Sequence, residues 1–125
     1  MKILVVDDEM DVQLLFQQKF RKEIKEGAMN FAFAFSGESA LEFMKANGQE
    51  AVLILSDINM PGMSGLELLK HIKKNYEKPP PIVMMITAYG DDLTYQEAKQ
   101  LGADDFLTKP VDFDSLKAKL KSMLL

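Results

Sequence analysis

Val52-Leu53-Ile54-Leu55-Ser56-Asp57, followed by Ile58-Asn59-Met60-Pro61-Gly62-Met63, decides how this chain folds. The first half is a short apolar run that ends on a carboxylate. The second half cannot continue a strand, because Pro61 removes a backbone donor and Gly62 permits a positive φ. An apolar run of this length, bounded by turn chemistry, fits a strand buried on both faces. Asp57 then stands at the C-terminal tip of that strand, where open parallel α/β sheets hold their ligands. A lone aspartate there would read as a loop or capping acid. Asp57 gains its meaning from the other acids of the chain.

Composition narrows the classes. The chain has 125 residues, enough for one domain with a two-sided core, and 47% of them are hydrophobic. A net charge of -4 and the absence of a basic run argue against a nucleic-acid surface. With no cysteine and one histidine, disulfides, thiolate zinc sites, cysteine nucleophiles and histidine clusters are excluded. No stretch reaches the roughly 18 apolar residues of a membrane span, and the N-terminus carries no signal-peptide pattern. The expectation is a cytoplasmic protein with no membrane partner, a single domain over residues 1–125.

Working outward, Lys2 to Val6 is a β-branched apolar strand that ends at Asp7-Asp8-Glu9. Three adjacent acids repel one another unless a cation is near, although one or two of them could serve a helix N-terminus. Val12, Leu15, Phe16, Phe20 and Ile24 give one apolar face to a helix over about Met10 to Glu26, stopped by Gly27. Met29 to Phe35 reads as a second strand. Phe31, Phe33 and Phe35 share one face, and Ala32 and Ala34 leave room for a close helix on the other. Ser36 can cap a helix carrying Ala40, Leu41, Phe43 and Met44, which ends near Asn47-Gly48.

After the central strand, Ser64-Gly65-Leu66-Glu67 is a capping-box pattern. It opens a helix that buries Leu66, Leu69 and Ile72 or their neighbours, with His71 on its solvated side. Ile82 to Ile86 is a fourth buried strand, ending at Thr87-Ala88-Tyr89-Gly90. A helix over about Asp92 to Leu101 has few large apolar residues and is expected to be the least firmly packed element. Asp105 to Thr108 is a short fifth strand, followed at once by Lys109-Pro110. Asp112 can cap the last helix, which buries Leu116, Leu120 and Met123 or Leu124. Strand and helix alternate five times, so the expected fold is α/β: a doubly wound, flavodoxin-like five-stranded parallel sheet in the order 2-1-3-4-5.

That order gathers Asp7, Asp8, Asp57, Thr87 and Lys109 at the carboxyl ends of the strands. Three carboxylates at one point call for a hard divalent cation, magnesium or manganese. A hydroxyl and an ammonium beside them suit a phosphoryl group, and a carboxylate can attack phosphorus. No glycine-rich phosphate loop follows the first strand, which argues against a bound nucleotide.

These features resemble the receiver domain of two-component response regulators, in particular single-domain regulators of the chemotaxis type. The matching positions are Asp7-Asp8, Asp57 with Met60-Pro61-Gly62-Met63 and Gly65, Thr87-Ala88, and Lys109-Pro110. They span nearly the whole chain in order. The resemblance implies that Asp57 accepts a phosphoryl group from a sensor histidine kinase or phosphotransfer protein. It implies magnesium held by Asp8, Asp57 and the backbone carbonyl of Asn59, with Asp7 acting through water. Lys109 would pair with Asp57, and its bond to Pro110 would be cis. Thr87 would swing toward the phosphoryl group, and Phe106 would be the switch aromatic, though a plain core aromatic fits that position as well. Asn59 and Tyr89 would flank the phosphoryl group, Tyr89 partly shielding it from water. Output would pass through the helix near 92–101, the fifth strand and the last helix to a downstream protein or a fused domain.

Two other readings compete. One is a magnesium-dependent phosphatase resembling the haloacid dehalogenase type. That family places a second aspartate two residues after the nucleophile, where this chain has Asn59. The other is a degenerate receiver that binds partners without phosphorylation, against which the intact acidic set argues.

Overall fold

The computed structural model describes residues 2–47, 53–75, 81–88 and 91–123. Five parallel strands form one sheet: β1 (Lys2–Val6), β2 (Asn30–Ala34), β3 (Leu53–Asp57), β4 (Ile82–Thr87) and β5 (Asp105–Thr108), in the order β2-β1-β3-β4-β5. The helices are α1 (Asp11–Lys19), α2 (Arg21–Lys25), α3 (Gly37–Asn47), α4 (Gly65–Asn75), α5 (Asp92–Gln100) and α6 (Phe113–Met123).

Each sheet face has its own core, and strand alternation sorts the side chains between them. Leu4, Val6, Ile54, Val83 and Met85 meet Ala40 and Met44 of α3, Leu68, Leu69 and Ile72 of α4, and Ala98 of α5. Ile3, Val5, Leu53, Leu55 and Met84 meet Phe16 of α1, Phe20, and Leu116 and Leu120 of α6. The two faces of β2 divide as the sequence predicts. Ala32 and Ala34 lie on the α3 side, and Phe31 and Phe33 join the phenylalanine cluster around Phe16 and Phe20.

Local chemistry fixes the ends of the elements. The Glu67 N–H donates to Ser64 Oγ at 3.2 Å, so Ser64 caps α4. Asp112 accepts from the N–H groups of Asp114 and Ser115 and caps α6. Gly27 and Gly102 take φ of +76° and +99° and stop α2 and α5.

Several expectations are corrected. The single helix over 10–26 is two segments, broken where Phe20 leaves helical geometry at φ -108°, ψ 21°. Leu15 is exposed although its spacing places it on the apolar face, while Glu23 is buried. In α4 the buried set is Leu68, Leu69 and Ile72, with Leu66 only half-buried. Ile82, the first residue of β4, is exposed. The acids after β1 do not cap α1, whose N-cap is Met10 with no side-chain bond. Gly48, Val52, Tyr89, Gly90 and Leu124 lie outside the described residues.

Candidate functional site at the carboxyl end of the sheet

Register builds the site. Val6 of β1 lies opposite Ser56 of β3, so Asp7, just past β1, and Asp57, the last residue of β3, stand side by side. Thr87 lies opposite Thr108, so Lys109 follows at the same level, and its N–H donates to the Thr87 carbonyl at 2.9 Å. Asp57 is only 2% exposed.

The Asp57 carboxylate is held asymmetrically. Lys109 Nζ donates to Oδ2 at 2.9 Å, whereas Oδ1 is buried without a hydrogen-bond partner. Carboxylate oxygens of Asp7, Asp8 and Asp57 all lie within 4.8 Å of one another. Asp7 is buried and accepts the Glu9 N–H at 2.9 Å; Asp8 is exposed. Burial raises the Asp7 pKa most, and the Asp57 and Asp8 charges add to the rise against the Glu9 N–H and Lys109. Burial pulls Lys109 the other way, but its bond to Asp57 and the charges of Asp57, Asp7 and Glu9 leave its pKa above the usual lysine value.

A divalent cation fits here on the chemistry of the donors. They are hard oxygens, two of the three acids are buried, and one buried oxygen has no donor to satisfy it. Thr87 is buried, and its hydroxyl donates to the Leu107 carbonyl at 3.4 Å, a long bond that is cheap to exchange. Asn59 stands exposed in the turn after β3. Tyr89 is outside the described residues. Phe106 is half-buried, and its ring meets that of Tyr95 on α5 with centroids 4.3 Å apart. The Lys109-Pro110 peptide is cis.

The turn carrying Asn59 has supports that sequence reasoning missed. Glu38, in the first turn of α3, accepts the Met63 N–H at 3.3 Å. Ser56 donates to the Asp57 carbonyl at 2.9 Å. Nothing in the sequence separates Glu38 from an ordinary acid at a helix start. Gly65 was legible as part of the motif, and its reason is now physical. A Cβ there would fall within 2.2 Å of the Asp57 carbonyl oxygen, so α4 can begin against the backbone of Asp57 only with glycine.

The profile of the response regulator receiver domain matches residues 3–121. The chain belongs to this family. It is 37% identical over 123 residues to the Sporulation initiation phosphotransferase F of Bacillus subtilis (strain 168), covering 98% of this chain and 93% of that protein. Among solved structures it is similar to the chemotaxis protein CheY4 of Vibrio cholerae, with a TM-score of 0.79, 27% identity, and coverage of 97% of this chain and 96% of that one. It is also similar to a two-component response regulator from Clostridium difficile, with a TM-score of 0.82, 25% identity, and coverage of 99% and 95%. Receiver domains are signalling proteins that work with histidine kinases or phosphotransfer proteins, and they bind Mg2+ at an acidic pocket. Among the described residues no helix is long and apolar enough to cross a membrane.

Proposed function

We propose that residues 1–125 are one receiver unit that accepts a phosphoryl group on Asp57 and signals through a shift of its α5-β5-α6 face. The observation that carries this is the Asp57 carboxylate: buried, paired with Lys109 through Oδ2, with Oδ1 unpaired and two further acids beside it. A carboxylate oxygen of Asp57 attacks phosphorus. The O–P bond forms as the P–N bond of phosphohistidine breaks, and the imidazole leaves with the electron pair. Bound magnesium, or manganese in its place, supplies charge neutralisation for the phosphoryl oxygens. Asp8, Asp57 and the Asn59 carbonyl would hold it, with Asp7 acting through water. Lys109 neutralises the opposite side, and the Thr87 hydroxyl exchanges the Leu107 carbonyl for a phosphoryl oxygen.

The donor must reach the carboxyl end of the sheet. There Met10 and Leu14 of the α1 region are 67% and 63% exposed. A groove of about 490 Å³, which Asp7, Leu15, Val111, Pro110 and Lys109 help to line, opens at the same end. This is a surface on which a cytoplasmic kinase or phosphotransfer protein can seat its histidine over Asp57. On the output side, α5 buries only Ala98 and leaves Leu93 86% exposed. Loose packing suits an element with two positions, and Phe106 can follow Thr87 inward while dragging on Tyr95. Moving such a switch from 1:99 to 99:1 takes about 5.5 kcal/mol of preference for the active state. Replacing Tyr89 with alanine should change the rate at which the aspartyl phosphate hydrolyses.

The test is intact-mass analysis after incubation with magnesium and acetyl phosphate, beside Asp57→Asn. A single magnesium-dependent phosphoryl adduct, absent in the variant, is expected. No adduct, together with no binding of fluoroberyllate, would turn the reading to a phosphorylation-independent binding module.

A further inference from the structure

The amino end of the sheet carries a second feature, which the phosphoryl chemistry does not use. Among the described residues strand β2 is an edge strand, hydrogen-bonded only to β1. Beside it runs an open trough of about 550 Å³, walled by the α1–α2 helices. Gln17, Arg21 and Lys25 recur every four residues along that wall, and all three are exposed. Half-buried Phe31 and Phe33 form the floor, their rings stacked with centroids 6.3 Å apart. Lys2 and Asn30, the first residues of β1 and β2, close the end away from Asp57.

The charge around this trough is positive and unpaired. Lys73, Lys109, Lys117, Lys119 and Lys121 each have a carboxylate partner. Among the described residues Lys2, Arg21 and Lys25 have none, and neither do Lys19, Lys22, Lys45, Lys70, Lys74 and Lys99; at the trough, three such cations stand around an aromatic floor beside an edge strand, on a protein whose net charge is -4. Uncompensated cations around an aromatic floor and a free strand edge define a complementary occupant. We propose that this trough takes an acidic, extended segment of a partner protein, which adds to β2 as a sixth strand and sets its carboxylates against Arg21 and Lys25. Backbone pairing supplies affinity in such an arrangement, and alternate side chains supply specificity. A small anion would meet the cations but leave the rings and the strand edge unused. Three cations on an acidic protein are too few for a nucleic-acid backbone. Binding here leaves the carboxyl end of the sheet open, so a partner could be held while phosphoryl transfer proceeds.

Cations beside an edge strand can also serve to repel unwanted pairing, and the experiment separates the two roles. The full chain, labelled with 15N, is titrated with the peptide acetyl-Glu-Val-Glu-Val-Glu-amide. Amide shifts concentrated on Asn30–Ala34 are expected. The affinity should fall at least tenfold in Arg21→Glu/Lys25→Glu, whose exposed positions leave the fold intact as judged by its own spectrum. Raising the salt from about 0.05 to about 0.5 M should weaken binding as well. The proposal is overturned by an absence of shifts in β2, or by equal shifts with the Lys-Val-Lys-Val-Lys counterpart. Shifts reproduced by inorganic pyrophosphate alone, or centred on Lys109, would overturn it too.

Discussion

Asp57 and Glu23 are both buried carboxylates, and each has one oxygen without a hydrogen-bond partner. Their surroundings have opposite signs. Glu23, on α2, faces Lys117 and Lys121 of α6 at 3.4 and 3.6 Å. Lys117 also donates to the Lys19 carbonyl at 3.0 Å and lies 5.4 Å from the Phe20 ring centroid. Two lysines of α6 already supply the positive charge that Glu23 calls for, and they tie the α2 segment to the last helix. Asp57 has one lysine and two further acids. Its neighbourhood is short of positive charge, which a divalent ion and then a phosphoryl group can exploit. Burial alone therefore does not separate the two carboxylates; the sign of the charge gathered around each does, and under the proposed function it is Asp57 that works.

The comparison breaks most readily at Asp57 itself. Asp57→Asn should abolish the phosphoryl adduct in the mass measurement, whereas Glu23→Gln should leave its yield unchanged. An adduct surviving in Asp57→Asn would move the acceptor elsewhere. Next in size is Gly65→Ala, which drives a methyl group into the Asp57 backbone. Denaturant unfolding should show a loss of about 3 kcal/mol, and phosphorylation should slow in parallel. If stability fell and the phosphorylation rate held, Gly65 would serve the fold without positioning Asp57.

Metal sharpens the contrast at somewhat smaller scale. Magnesium at about a hundred times its dissociation constant should stabilise the chain by about 2.7 kcal/mol, read as a rise in thermal midpoint. Asp8→Asn should lose most of that rise and Glu23→Gln none of it. Equal rises in all three proteins would mean that the acidic end is not where the ion binds.

The acidic end was legible in the sequence and the Glu23 junction was not, for physical reasons. Continuous apolar runs bounded by Pro, Gly and acids announce buried parallel strands. Once their order is 2-1-3-4-5, pairing register alone carries Asp7, Asp57, Thr87 and Lys109 to one end. Caps are local, so Ser64 and Asp112 could be recognised without tertiary knowledge. Glu23 sits in Arg21-Lys22-Glu23-Ile24-Lys25, which reads as a solvated helical surface. It is buried only because α6, contributed from the far end of the chain, packs over it. The turn of the backbone at Phe20, just before the segment that holds Glu23, has no proline or glycine to signal it. Glu38 bracing the Met63 N–H escapes notice for the same reason: its partner is fixed by packing of α3 beside the β3–α4 turn.

The smallest effect concerns Glu23 and has a sign that can be worked out. Burial opposes its charged form more than any other single influence. Its own backbone N–H and the two lysines together outweigh that, and its pKa lies below the usual 4.5. A carboxyl with a depressed folded-state pKa contributes stability that is full above its unfolded value. That stability is lost as pH falls through the folded value. Glu23→Gln should therefore cost about 1 kcal/mol near pH 7, the lysine partners being partly exposed. Below about pH 4 its unfolding curve should approach that of the parent chain. Urea unfolding at both pH values checks this. A glutamine variant more stable than the parent at neutral pH would show that desolvation wins at this junction. Glu23 would then be a strained group like Asp57, and the distinction by sign of surrounding charge would fail.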